Sequence, residues 1–507
     1  MTLLARRLAP VPHTPSAPHR PYGPVLALAA VEARRLLRHP LVLLALTGHV
    51  ALLLRRALTG SDYPVLQVTD RETQYGPTLI GLAVLLAANA AVARSRRHGT
   101  DAQFGVLVLP VWRRTVAHLL SVLPAALVVA ALVAGEFARE ALRPGAVGHA
   151  SVAELATGPA VVALLGVTGV ALGRVVRSPL AAPLAVVGVL ALLLGLATAS
   201  GGGRWLAPIA FDEGTGALPS GLVGRPAGWH VLYLAGLATV LGAVVVYVGG
   251  GRTRLVTAVA AVASAATLAG CAGQVMGPGD GLVAVRERAA HDPADQQECV
   301  GRGPVTYCAF PEFLPWTDEW AGVVEQVFAE SGTPLGDYPF TVRQRISGEV
   351  GTGSSGGEEP AVSPGEVTVG TAWGGVRDLE FAAGVAREVV IRDGTTAGVY
   401  CDARAVVIAW LAVSAVPDGP ARFESAQERR YGGGAVLQAP GAAVPLRDRE
   451  AAVVRALFDL PADGVGERVR AHWAELTAPG ASTDDAARLL GVPAPAETDA
   501  DREWACV

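Results

Sequence analysis

Cysteine is the side chain whose chemistry matters first in this sequence. Five are present, and Cys299, Cys308, Cys401 and Cys506 all fall in the polar stretch after Met276. An even number in one polar region suits an oxidising compartment, where thiols pair as disulfides. Four cysteines permit three pairings. Cys299 with Cys308, closing a short loop, and Cys401 with Cys506 is the preferred set, free thiols being the alternative. Metal binding fits poorly, because no Cys-x-x-Cys occurs and His291 and His472 are the only histidines there. No metal site is therefore expected.

Other catalytic patterns are scarce. There is no His-Glu-x-x-His, and Glu312, Asp393 and Asp402 read as solvated carboxylates. No enzyme activity and no cofactor are expected. Lysine is absent from the whole chain, so the phosphate-binding pattern G-x-x-x-x-G-K-[ST] cannot exist. If nucleotide hydrolysis drives this protein, another chain supplies it. The net charge of -4 is small, so bulk electrostatics argues for neither nucleic acid nor an acidic substrate, and no nucleic-acid partner is expected.

The elements around these residues live in two solvents. Before about residue 276, long apolar runs alternate with short arginine-bearing connections; after it the chain is polar. The hydrophobic fraction of 51% and charged fraction of 17% lie on the membrane side of a globular average. A bilayer core of roughly 30 Å needs about 20 mostly apolar helical residues. Candidate spans fall at Leu41–Leu58, Gly76–Ala93, Ala117–Phe137, Gly158–Gly173, Pro179–Ala199, Val231–Gly250 and Leu255–Ala272. The expected fold is thus an α-helical polytopic membrane protein of about seven transmembrane helices, carrying a C-terminal soluble α+β domain that is mostly helical.

Residues 1–24 read as a disordered cytoplasmic tail, 25–276 as the membrane domain and 277–507 as an extracytoplasmic domain. Residues 25–39 form an amphipathic helix with Glu32, Arg34, Arg35 and Arg38 opposite its apolar stripe, which suits a helix lying in the interface. Small residues such as Gly166, Gly169 and Gly173 would let helices approach closely. His49 and Asn89 are the clear polar candidates inside the spans and read as helix-packing hydrogen bonds.

Arginine bias sets the orientation. One set of connections holds Arg34, Arg35, Arg38, Arg94, Arg96, Arg97, Arg113, Arg114, Arg174, Arg177, Arg252 and Arg254. The alternate set holds Arg55, Arg56, Arg71, Arg139, Arg143, Arg204 and Arg225, offset by acids such as Asp70 and Glu136. The first set should be cytoplasmic. With an odd number of spans, the C-terminal domain lies outside a multi-pass cell-membrane protein whose N-terminus is inside. Cys271 adds a rival boundary. Arg252, Arg254, an apolar run and Leu268-Ala-Gly-Cys271 look like a bacterial lipoprotein signal with Cys271 as the lipid-bearing residue. The alternative is an ordinary membrane helix ending in small residues.

Two stretches carry a family resemblance. The first is Glu32, Arg34, Arg35, Leu37, Arg38 and Pro40 leading into a span. The second is the loop with Arg94, Arg96, Arg97, Gly99, Thr100, Pro110, Arg113, Arg114 and Thr115. From Val25 to Gly250 the chain resembles the permease subunit of an ABC-2-type ABC transporter, particularly the actinobacterial ones. The resemblance implies an elbow helix before the first span and a loop between spans two and three that docks a cytosolic ATP-binding subunit. It also implies a second permease copy, identical or related, with membrane lipids around the pair and an exporter's function. The chain departs from the pattern at Asp101-Ala-Gln103, which is less acidic than expected after Gly-Thr. A basic loop with the short apolar run Phe104–Leu109 is a sensible docking element in its own right. The competing class is a polytopic receptor or scaffold whose external domain binds a partner.

In the C-terminal region Trp316–Glu330 reads as an amphipathic helix capped by Thr317, and Tyr338–Val350 and Glu366–Thr371 as strands. Cys308–Phe313 is expected to fix a turn beside a disulfide, and Gly351–Pro364 to be a loop. From Leu379 the pattern is helical to the end, with helices at Arg447–Leu460 and Val465–Thr477 and a last one capped by Ser482.

Overall fold

A computed structural model describes residues 23–59, 63–100, 109–197, 201–210, 217–277, 279–337, 339–346, 365–391, 402–428, 435–439 and 442–498. The membrane half is helical: α1 Gly23–Leu37, α2 Pro40–Thr59, α3 Leu66–Glu72, α4 Tyr75–Arg97, α5 Val111–Leu120, α6 Leu123–Ala141, α7 Val152–Val175, α8 Ala181–Ala197, α9 Ala227–Val248 and α10 Arg254–Val275. Among the described residues six stretches are long and apolar enough to cross a membrane. They are Pro40–Leu58, Leu66–Arg97, Val111–Ala141, Val152–Val175, Ala227–Val248 and Arg254–His291. Proline starts α2 at its first position and sits in the first turn of α6, where its missing N–H costs nothing.

The predicted fifth span is α8, with 17 residues. That is about 25 Å of helix, short for a span. Its ends nevertheless sit at opposite faces of the bundle. Before it, the carbonyl of Gly173 in α7 accepts from Arg96 at the arginine-rich face. After it, the 3-10 turn Gly201–Leu206 lies against the end of α10, with Gly202 on the carbonyl of Val275. Among the described residues the chain therefore passes between the two faces of the bundle seven times, six of them by a helix long and apolar enough to cross a membrane. Helix α1 and the C-terminal region finish on opposite faces.

Helix packing follows the small residues. A Cβ built at Gly169 of α7 would strike the carbonyl of Leu85 in α4, and one at Gly173 would lie 2.8 Å from Val92 Cβ. Asn89 donates to the carbonyl of Gly169 at 3.5 Å, the helix-packing bond expected of it. His49 is buried with its ring on Gly76, joining α2 to α4.

The C-terminal half starts with α11 Asp280–His291 and builds a four-stranded sheet from β1 Glu298–Arg302, β2 Val305–Ala309, β3 Phe340–Gln344 and β4 Glu366–Val369. The order is β1-β2-β3-β4, with β1 and β2 an antiparallel hairpin and β2, β3 and β4 parallel. Helix α12, Thr317–Ser331, makes the crossover between β2 and β3. Then come α13 Val376–Val390, α14 Ala403–Ser414, α15 Gly419–Glu428, a hairpin of β5 Ala435–Ala439 and β6 Ala442–Leu446, α16 Asp448–Phe458, α17 Ala462–Ala471 and α18 Thr483–Leu490. Helix α14 is the core element: every residue from Ala405 to Val413 is buried.

Several local readings need correction. Thr317 does not cap α12; it is the first helical residue and donates to the carbonyl of Leu314 at 2.7 Å, while Trp316 holds the cap position. The stretch Cys308–Phe313 does make a turn beside a disulfide: Cys308 lies in strand β2, and a 3-10 turn starts at Pro311. Helix does not run unbroken from Leu379, because β5 and β6 interrupt it. Their short Ala-rich runs carry little strand propensity, and Pro440-Gly441 between them was the available turn signal. Ser482 does cap α18: its hydroxyl accepts from the Asp485 N–H at 3.1 Å, and the Asp485 carboxylate accepts in return from the Ser482 N–H.

Candidate functional site

The residues singled out for docking gather at the arginine-rich face, and most are already engaged. Helix α4 ends in a Schellman turn. Gly99 has φ +66°, its N–H donates to Arg96 O at 3.2 Å, and Thr100 N–H donates to Ser95 O at 2.9 Å. The Gly-Thr pair thus terminates a helix, and glycine is there because the turn needs a left-handed residue. Pro110 caps α5 with extended backbone, and the Pro110 carbonyl accepts from Arg114 N–H at 3.2 Å. Arg113 stacks over Trp112, 5.1 Å from the ring centre.

Arg94 is tied to the elbow. Its guanidinium donates to both oxygens of Glu32, at 3.0 and 3.2 Å, and Arg35 donates to Glu32 Oε1 at 3.0 Å. Glu32 is only 5% exposed and shares the buried stripe of α1 with Val25, Ala29, Ala33 and Leu36. The expectation that Glu32 stands on the polar face opposite this stripe is therefore wrong. A bidentate arginine makes burial of that carboxylate tolerable. The same stripe packs on α5, where Ala117 is fully buried against Val25 and Ala29 with Leu109 beside them. Helix α1, the end of α4 and the start of α5 thus form one block ahead of α2. Residues 101–108, including most of the apolar run, lie outside the described residues.

At the other face is a polar cavity of about 210 Å³ lined by Gln67, Asp70, His149, Ser151, Glu154, Ser220 and Arg225 among others. Arg225 Nε donates to Glu154 Oε1 at 2.7 Å, and the two side chains are 6% and 5% exposed. Arg225 also stacks over Trp205 at 4.7 Å, and Gln74 donates to the Glu154 carboxylate. Asp70 is 2% exposed and its Oδ2 accepts from Ser151 N–H at 2.7 Å, while Oδ1 has no hydrogen-bond partner among the described residues. Ser151 caps α7 and accepts from Glu154 N–H at 3.4 Å. Sequence reading placed Asp70 and Arg225 only as loop charges and did not find Glu154.

The C-terminal region sits on this face. Trp316 Nε1 donates to Gly145 O at 2.7 Å, and Ser220 N–H donates to Glu312 Oε1 at 2.5 Å. Glu312 is therefore a structural acceptor, not a solvated acid. Asp402 caps α14, accepting from Arg404 N–H at 2.9 Å. Val65, Val147, Ala217 and Leu222 from the bundle's connections join the hydrophobic core built on α12, α13 and α14.

Cys299 and Cys308 are directly opposed on β1 and β2 and form a disulfide, with Cα atoms 4.0 Å apart. Cys401, Cys506 and Asp393 lie outside the described residues. Cys271 is a half-buried free thiol inside α10, which continues to Val275. Among the described residues no group of three or more His, Cys, Asp or Glu side chains is placed to hold a metal ion. The chain is a polytopic helical membrane protein, and no family model, curated protein or solved structure matches it.

Proposed function

We propose that the chain is the membrane-spanning permease subunit of an ABC-2-type exporter, without a nucleotide site of its own. A separate cytosolic ATP-binding subunit would supply the energy and a second permease copy would complete the path. The observation that supports this reading is the block of α1, the end of α4 and the start of α5, locked by Glu32 and Arg94. A partner seated on the loop between Gly99 and Pro110 would push this block as one piece, and α1 leads directly into α2. The arginine-rich face is then cytoplasmic and the C-terminal domain external.

Capture of the full chain from its own membranes, in mild detergent, tests the reading. An ATP-binding protein should co-purify and should be lost when Gly99–Pro110 is replaced by a Gly/Ser linker with insertion unchanged. Membranes that yield no ATP-binding partner would overturn it. A second reading, a receptor whose C-terminal domain binds an external partner, draws on the bonds from Trp316 and Glu312 into the bundle's connections. A partner captured through that domain, with no ATPase, would favour it.

A further inference from the structure

The arginine-rich face carries a second cavity, of about 250 Å³, between the end of α1 and the end of α4. We infer that it holds the phosphate of an anionic phospholipid drawn from the surrounding leaflet. One wall is basic: Arg35, His39, Arg94, Arg97 and His98. The other is apolar, made by Leu36 with Ala87, Ala90 and Ala91 of α4.

Charge bookkeeping favours an anion. Arg35 and Arg94 both bond Glu32 and Arg97 lines the same cavity, so its three arginines face one carboxylate and a positive surplus remains. Arg96 points elsewhere, to the carbonyl of Gly173. Arg97 and His98 are exposed at the rim.

Location then selects the source. His39 immediately precedes Pro40, where the first span begins, so the cavity lies at headgroup depth. One turn further, Leu43 and Leu44 are 47% and 70% exposed on a helix with almost no protein cover. A phosphate held by Arg97 and the histidines would leave its acyl chains against these leucines. Basic pockets between spans recognise anionic headgroups in this way, and small residues on the floor leave room for the glycerol. The inference stands apart from the transport reading, since it concerns the chain alone.

The test uses the full chain in detergent, equilibrated with equal amounts of phosphatidylglycerol and phosphatidylcholine of matched acyl chains. Lipid retained after repurification is measured by mass spectrometry. Phosphatidylglycerol should be enriched on the wild-type chain, and Arg97→Gln combined with His98→Gln should cut that enrichment about fivefold or more. Arg252→Gln, on the same face but outside the cavity, should leave it unchanged. These are exposed positions, so thermal midpoints should not move. The proposal falls if the wild type shows no enrichment or if Arg252→Gln loses as much as the double variant. It also falls if inorganic phosphate displaces the lipid, which would mark a site for soluble anions.

Discussion

Glu154 and Arg225 show how a buried charge is held in this bundle. Their ion pair is almost closed to solvent, and Gln74 and Trp205 complete the surroundings of both groups. Glu154→Gln keeps the shape but leaves the guanidinium without its counter-charge, a loss of about 3–5 kcal/mol. The expected outcome is a clearly lower thermal midpoint of the detergent-solubilised chain; an unchanged midpoint would mean that Arg225 reaches water. In the C-terminal region Asp378 gives a pH-dependent counterpart. Burial pushes its carboxyl above the ordinary value of 3.8, against the pull of Arg422 beside it. A raised folded-state pKa contributes stability that is full below the unfolded value and is lost as pH rises through the folded one. Asp378→Asn should therefore raise the midpoint at about pH 8 and change it little at about pH 4, read from fluorescence of the buried Trp320 and Trp373. Neither group was legible as a site. Glu154 and Arg225 lie far apart in the chain, and no local spacing announces a pair that only helix packing creates. The basic positions around Arg94 were legible because charge bias in short loops is a local property. Their partner Glu32 was misplaced because a helical stripe read by hydropathy sends every acid outward.

Between α4 and α7 the glycines decide the approach distance. Gly169→Val would drive a branched side chain into the backbone at Leu85, and overpacking of this kind costs about 1–3 kcal/mol. Gly188→Val in α8, where nothing lies within 4 Å, should be neutral. Thermal unfolding of both variants in the same detergent checks the contrast, and equal losses would show that the close approach is not what Gly169 serves. Elements were the most legible level of this chain. Apolar runs gave the positions of the spans, because a bilayer demands continuous helix. The β5 and β6 hairpin was missed because its strands are stabilised by contact: Leu437, Val444 and Leu446 are buried in the core beside α14. Propensity cannot report a stabilisation that arises only after folding.

Among the described residues the traverses separate two faces of different character, one rich in arginine and one covered by the C-terminal region. If the arginine-rich face is cytoplasmic, a membrane-impermeant maleimide should label reduced Cys299 on intact cells, while a cysteine introduced by Arg38→Cys stays unlabelled until lysis. The reverse pattern would invert the orientation. The positions of the spans could be read from sequence because each contributed its own signal, whereas the seat of the C-terminal region on the bundle could not. That seat depends on single residues, Trp316 on Gly145 and Glu312 on Ser220, with no periodicity to reveal them. It bears on how the protein is made. Val65, Val147, Ala217 and Leu222 belong to connections synthesised early, yet they are buried by helices that emerge last. During synthesis these apolar connections must wait uncovered until α12, α13 and α14 have left the ribosome. A chain cut short before α12 would be left with a sticky crown, open to aggregation and to quality-control proteases, even with every span inserted.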